Sequence, residues 1–484
     1  MFHVWIVVSY LTLLFVVGIS KMRTVKTQED FMVAGRKTPT LLLVGTLVCT
    51  WIGSGSLFGG AGLGFRQGFS VLWFSAGAWA GIVIVYFLAH RVRRIAEYTV
   101  SDLLEKRYNH WARILGTSTI ILAYLTIAGY QFRGGGRLLS ILTGIDPAFG
   151  SAISCAVAIL FTVIAGLVSI IAIDVFNGMV MTLGVVIGVP LALAAVGGWP
   201  QVQTLPANHF AVFGDKNWLW GMGIFLPSFF LLLGESSMYQ KFFAAKDERA
   251  ACRAVIGMIL GVVAIESLLC TLAVIGSSKY FAQAPFANPD GTFNKAETET
   301  IIMQVARHDL PMLAGGLMMA AAVAIILSTA NTYLMIPSTN ITRDLYQRFI
   351  NPRASQKKIV RIQRLLIVIL GIIAYVVATF FQSILDMAFT AYTMVGAGVT
   401  PALLAAFLWK RTSVAGGIAS IAAGMLVTIA ITITNLILPK PLMETDYVII
   451  PAAGVSILAL ILVSLMTPPP PQEKWKPFFV EVDR

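Results

Sequence analysis

Charge is scarce in this chain. Only 12% of its 484 residues are Asp, Glu, Lys or Arg, too few to solvate the surface of a water-soluble domain of this size. Cysteine is equally rare: Cys49, Cys155, Cys252 and Cys270 lie in or beside apolar runs without metal-ligand spacing, which excludes a disulfide framework and a zinc site. The five histidines (His3, His90, His110, His209, His308) fall at the ends of runs or between them, so neither a haem pair nor a histidine cluster is indicated. The apolar runs contain no nucleophile–base pair, metal cluster or lipid-phosphate site, and the chain reads as no enzyme. Long polar segments are also missing. The longest, about 278–310, mixes amphipathic and turn character and suits either a gate-covering loop or a spacer.

What fills the chain instead is apolar sequence, 57% of it, with a mean hydropathy of +0.81. Runs of about 20 residues recur along the whole length, the signature of an all-α polytopic membrane protein. About thirteen spans follow, near 2–20, 39–65, 70–90, 112–143, 148–167, 170–197, 218–237, 253–277, 311–342, 361–381, 384–408, 414–438 and 446–466. Most basic residues fall in alternate gaps between them, among them Arg23 and Lys26, Arg91 to Arg94, Lys241 to Arg253, and Arg343 to Arg364. The positive-inside rule makes that side cytoplasmic, with the N-terminus outside and the C-terminus inside. The net charge of +12 is then topology and not a footprint for nucleic acid. The first span has its basic cluster after it and none before it, the reverse of a secretory signal peptide, so it is expected to be kept. A proline-stiffened cytoplasmic tail, 468–484, is expected to carry no further domain, which excludes a fused kinase but leaves a solute sensor acting through a partner. Near 98–110, Ser101 or Asp102 is the candidate N-cap of an interfacial helix.

The stretch from Gly45 to Gly64 organises the rest. It is apolar enough to lie in a membrane, yet carries seven glycines, each costing about 1 kcal/mol of helix stability. One reading is a broken helix that aims bare carbonyls and amides at a ligand near the bilayer midplane. The other is close helix packing through Gly55/Gly59 and Gly60/Gly64. In the ninth span, Ser328, Asn331 and Thr332 share one helical face with Thr329 adjacent. Their oxygens suit Na⁺ if carbonyls converge on them, or else they bond back to their own helix or join two helices.

Carboxylates at membrane depth are costly, about 3 kcal/mol each on insertion scales, and therefore informative. Asp174 and Asp386 begin their spans and read as interfacial caps or as functional groups. Glu266 lies midway along the eighth span. Glu235 sits where Leu231-Leu-Leu-Gly-Glu-Ser-Ser turns abruptly polar, either a second break or the membrane edge. Arg133 and Arg137, flanking three glycines, are adequately explained by snorkelling.

Together these residues resemble a known family, the sodium/solute symporters, which includes sodium-coupled sugar, proline, sialic acid and choline transporters. The resemblance rests on Thr50-Trp-Ile-Gly-Ser-Gly-Ser, Tyr98-Thr-Val-Ser-Asp-Leu-Leu-Glu-Lys-Arg-Tyr, Asp174 after a glycine-containing turn, Tyr239-Gln-Lys-Phe-Phe-Ala-Ala-Lys-Asp, Leu327-Ser-Thr-Ala-Asn-Thr and Ile341-Thr-Arg-Asp-Leu-Tyr. It implies a leucine-transporter-like fold with a five-plus-five inverted repeat, roughly 39–197 and 218–408, in a single transmembrane domain, 1–467, with flanking helices 2–20, 414–438 and 446–466. It implies Na⁺ as the coupling ion, with no organic cofactor, held by the carbonyls of Cys49, Ile52 and Ile325 and the hydroxyls of Ser328 and Thr329. A second sodium would involve Asp174, Ser328, Asn331 and Thr332, with Asn331 departing from the serine often found there. A small organic solute would lie near Trp51, Ser54, Glu235, Ser236 and Ser237. The first broken helix is most similar to choline-type members, but Glu235 stands where those place an aromatic, which favours a cationic or zwitterionic amine or a proton. The expectation is a monomeric symporter in the cell membrane, with proton coupling through Glu235 or Asp174 as the alternative.

Overall fold

In the computed structural model, described over residues 2–22, 32–95, 97–164 and 167–479, nearly all ordered structure is helical. The helices that position the site are α1 (Phe2–Met22), α2 (Thr40–Trp51), α3 (Ala61–Gln67), α4 (Leu72–Ile95), α5 (Val100–Arg107), α6 (His110–Thr143), α7 (Pro147–Ile164) and α8 (Leu167–Ala195). They are followed by α9 (Trp218–Gly234), α10 (Ser236–Ala244), α11 (Glu248–Tyr280), α12 (Ile301–His308), α13 (Met312–Asn340), α14 (Gln356–Thr379), α15 (Ile384–Gly398), α16 (Thr400–Leu408), α17 (Val414–Ile437) and α18 (Ile449–Met466). Among the described residues, eleven helices are long and apolar enough to cross a membrane. One of these, Gly55–Ile95, runs through a turn, and shorter apolar helices occupy Phe2–Gly18 and Thr40–Trp51. Arg23, Lys26, the glycine before Asp174 and the last five residues of the tail lie outside the described residues.

Helix starts follow the chemistry of their caps. Asn109 accepts from the amides of Trp111 and Ala112 to open α6, Asp247 caps α11 through Ala250, and Ser383 and Ser413 cap α15 and α17. Each satisfies an amide that has no intrahelical partner. The cap of α5 is Thr99, not Ser101 or Asp102: Thr99 accepts from the Asp102 amide while the Asp102 carboxylate receives the Thr99 amide. The capping box needs an acid three residues after the cap, and Asp102 is that acid. At Gly68 φ is +64°, and a Cβ there would run into the His209 backbone, so the turn from α3 into α4 requires glycine.

The core is built around α13 and α15, buried almost throughout, while α14, α17 and α18 leave large apolar side chains such as Ile373, Leu426 and Leu462 exposed. Such all-helical segments with outward apolar faces are what a bilayer stabilises. The interrupted pair α2/α3 packs against α8, α11 and α13, and the segment Gly55–Gly60 between them packs against α15.

The two ends are tied by different ionic networks. At one end Arg113 pairs with Asp102, with Glu105 at 2.6 Å and with Asp344 at 3.6 Å, and Thr99 donates to Asp344 at 2.9 Å. Two of the segments that carry the family resemblance, 98–108 and 341–346, meet here. At the other end Arg137 pairs with Glu299, whose carboxylate also accepts from Ser383 Oγ at 2.7 Å and from the amides of Ile384 and Leu385. Arg133 donates to the carbonyls of Ala378, Phe381 and Gln382. These arginines therefore do not snorkel. Arg137 fastens Glu299, and through it the start of α15, to α6, and Arg133 fastens the end of α14 and the turn after it, because carboxylate and carbonyl partners lie within reach of each guanidinium fork.

Candidate ion and solute site

The first break is real. α2 ends at Trp51, and Ile52 leaves helical geometry with φ −78° and ψ 106°. A Cβ on Gly53 would stand 2.7 Å from Gln131 Nε2 and 3.0 Å from Thr329 Cγ2, so the glycine admits α6 and α13 to the break. Across it, Thr329 Oγ1 donates to the Ile52 carbonyl at 3.1 Å and to the Cys49 carbonyl at 3.4 Å. Ile325 is buried one turn before Thr329 on the same helix. Ser328 Oγ donates to Asp174 Oδ1 at 2.5 Å, which leaves its lone pairs free. The carbonyl end of α2 carries the negative end of the helix dipole. Uncharged oxygens from two helices at such an end fit a hard monovalent cation.

Asp174 is no interfacial cap. It lies inside α8, is 1% exposed, and its second oxygen accepts from Thr46 Oγ1 at 2.5 Å. Asn331 Oδ1 accepts from Thr162 at 3.0 Å, and Thr332 Oγ1 lies 3.3 Å from Thr50 Oγ1. Lys241, which charge patterning assigns to a polar segment beyond the seventh span, is instead buried in α10. Its Nζ donates to the Thr46 carbonyl at 2.8 Å and to Thr50 Oγ1. The helix continues past Glu235 to Ala244, so the abrupt polar stretch marks a second break and not the membrane edge.

At that second break Glu235 is extended, with φ −66° and ψ 99°, and caps α10. Its Oε1 accepts from Ser237 Oγ at 2.8 Å, from the Ser237 amide at 3.3 Å and from the Tyr124 hydroxyl. Tyr333 lies beside the same carboxylate, against Tyr124. Oε2 is buried and has no partner. Ser236 and Ser237 are each 2% exposed.

The remaining solute candidates point to two neighbours. Trp51 Nε1 donates to Glu266 Oε1 at 3.0 Å, and Trp79 Nε1 donates to Glu266 Oε2 at 2.9 Å. Ser54 turns to α6, where its amide donates to Gln131 Oε1 at 2.8 Å and its own hydroxyl is unpartnered. Aromatic rings join these parts. Tyr124 and Tyr333 meet edge to face at 4.7 Å, the Tyr130 and Tyr392 hydroxyls both approach Gly55, and Trp51 lies 6.5 Å from Tyr392. Phe74 stacks on Tyr392 at 6.1 Å and packs on Phe389 at 5.7 Å. Phe389 in turn lines a cavity of about 750 Å³ at the Arg137 end, together with Arg66, Trp220 and Asp386. No predicted solute residue lines that cavity, and ring contacts run from its Phe389 through Phe74 and Tyr392 to Trp51. The sequence alone marks no site role for Tyr124, Tyr130, Gln131, Tyr333 or Tyr392, and Lys241 reads there as the start of a basic segment. The available signal was the pair Tyr130-Gln131 in mid-span.

Two interrupted helices facing each other across a packed bundle, with ion-type and solute-type groups at the breaks, define a secondary transporter of the leucine-transporter fold. The fold matches a solved sodium-coupled sialic acid symporter in a substrate-bound outward-open state, with a TM-score of 0.79, 17% identity and coverage of 97% of this chain and 98% of that one. It also matches a nucleobase-cation-symport-1 family transporter in a closed conformation, with a TM-score of 0.59, 12% identity and coverage of 93% and 97%. The sodium:solute symporter family model matches residues 31–424, and the chain belongs to that family. Among its relatives, the osmoregulated proline transporter of Bacillus subtilis (strain 168) is 26% identical over 93% of this chain and 92% of its own length. A sodium/proline symporter of Staphylococcus aureus is 26% identical over 97% and 93%. The chain is thus a multi-pass membrane transporter and not an enzyme, and Na⁺ is its coupling ion.

Proposed function

We propose that this symporter imports a small zwitterionic amine of the proline class together with Na⁺ by alternating access. The observation that carries the solute reading is Glu235: one carboxylate oxygen, buried between Tyr124, Tyr333 and the start of α10, has no partner. An ammonium or secondary amine is the complement of such a group, and the tyrosine faces add attraction for a cation. The relatives that carry proline make that solute the first to try.

Sodium is assigned to the carbonyls of Cys49, Ile52 and Ile325 with the hydroxyls of Ser328 and Thr329. An ion there would draw the α2 carbonyls and α13 together, and each ligand would raise the other's affinity by the same factor. One coupled charge gains about 2.3 kcal/mol per 100 mV, enough for roughly fiftyfold accumulation. The Arg113 end is assigned to the cytoplasm, the domain to two five-helix halves, 39–197 and 218–408, and the functional unit to a monomer.

A thermal-shift screen of purified protein tests the reading, with proline, choline, sugars and carboxylates each measured in Na⁺ and in K⁺. Proline is expected to raise the melting temperature only in Na⁺, and Glu235→Gln to lose the proline shift while keeping the Na⁺ shift. A sugar or carboxylate that stabilises the protein while proline does not would overturn the solute assignment.

A further inference from the structure

Asp174, Ser328, Asn331 and Thr332 form the set that would hold a second sodium, and every one of them already has a partner inside the protein. Asp174 receives the hydroxyls of Thr46 and Ser328, Asn331 receives Thr162, and Thr332 meets Thr50. At the edge of this set lies a buried ammonium. Lys241 is 1% exposed and reaches from α10 to α2, where Thr46 links it to the acid: the Thr46 carbonyl takes Lys241 Nζ, and the Thr46 hydroxyl serves Asp174 Oδ2. Thr50 does the same toward the other ligands, accepting from Lys241 and meeting Thr332.

We propose that the Lys241 ammonium takes the place of a second sodium at Asp174, so that this transporter binds one sodium ion and not two. The inference rests on the principal site at Cys49, Ile52 and Thr329 proposed above. Three physical points support it. A buried cation is tolerated only when paired and hydrogen-bonded, and Asp174 is the acid to which Lys241 is linked through one shared residue. With Lys241 charged, the Asp174 layer is neutral, and a further Na⁺ there would leave a net positive charge in a low-dielectric interior, repelling the ion in the principal site. Lys241 also belongs to the covalent chain and cannot dissociate on opening, so its charge contributes nothing to the number of ions carried per cycle. Its second effect is mechanical: it fastens α10, beyond the second break, to α2, before the first, so that the two interrupted helices move together at this end.

The test counts bound ²²Na⁺ on purified protein at equilibrium, with K⁺ holding ionic strength constant and no solute required. Wild type is expected to bind about one ion per protein with a Hill coefficient near 1. Lys241→Met should bind about two, with a Hill coefficient above 1 that reports the coupling of the new ion to the old. Lys241→Arg, which keeps the charge, should return the count to that of wild type, a result that mere damage to packing would not produce. Two ions bound to wild type would overturn the proposal, as would a Lys241→Met count that stays at one. The wild-type count decides even if Lys241→Met fails to fold. A wild type that binds none is a different result, and removes the principal site itself.

Discussion

The first break, at Ile52 and Gly53, exposes backbone carbonyls, whereas the second, at Glu235, inserts a side chain. The first is opened by glycine, which lets Thr329 come within hydrogen-bond reach of two carbonyls at the negative end of α2. The second keeps a carboxylate as the cap of α10, so the positive helix end is already neutralised and the surplus oxygen faces inward. Carbonyls without net charge suit a small cation that must leave again, while a carboxylate suits a cationic group on a larger solute. On the proposed assignment, the difference teaches that one architecture, an interrupted helix, is tuned for ion or solute by what caps the interruption.

Variants at the two breaks separate these roles. Ser328→Ala/Thr329→Ala removes the two hydroxyls proposed to hold the ion, at about 1.5–3 kcal/mol each, so the apparent Na⁺ affinity, read by sodium titration of the melting temperature, should fall about a hundredfold or more. Glu235→Gln removes the proposed charge partner of the solute, worth about 2–4 kcal/mol. Its half-saturation for proline should rise about a hundredfold with the Na⁺ titration unchanged. If both titrations move together, the breaks do not divide the work. Gly53→Ala pushes a Cβ against Gln131 and Thr329 at an overpacking cost of about 1–3 kcal/mol. It should weaken Na⁺ about tenfold through the displaced threonine. Trp51→Phe deletes the bond to Glu266, about 1 kcal/mol, and should raise the proline half-saturation only about fivefold, seen in uptake at saturating Na⁺.

Much of this was legible in the sequence where local chemistry is one-dimensional. Glycine spacing marks the first break because helix cost is paid residue by residue, and Ser328, Thr329, Asn331 and Thr332 announce a polar face on one helix. What was not legible depends on lateral packing. Asp174 reads as a possible cap at the start of an apolar run, yet α2 and α13 supply two hydroxyls that let it be buried. Lys241 looks like the first residue of a basic segment, but the carbonyl of Thr46, about 195 residues earlier in the chain, gives its ammonium a buried partner. Arg133 and Arg137 look like snorkelling residues in the sequence because their partners lie beyond residue 298. Tyr124, Tyr130 and Gln131 are isolated polar residues on a long helix, and no periodicity distinguishes them until the helix facing them is known.

The most direct test of sodium coupling through the first break is uptake of radiolabelled proline into proteoliposomes under an inward Na⁺ gradient, an inward K⁺ gradient, or no gradient. The account predicts transient accumulation above the external concentration with the Na⁺ gradient alone, lost in Ser328→Ala/Thr329→Ala. Proline uptake that is equal in all three conditions, or accumulation that survives in the double variant, would contradict it.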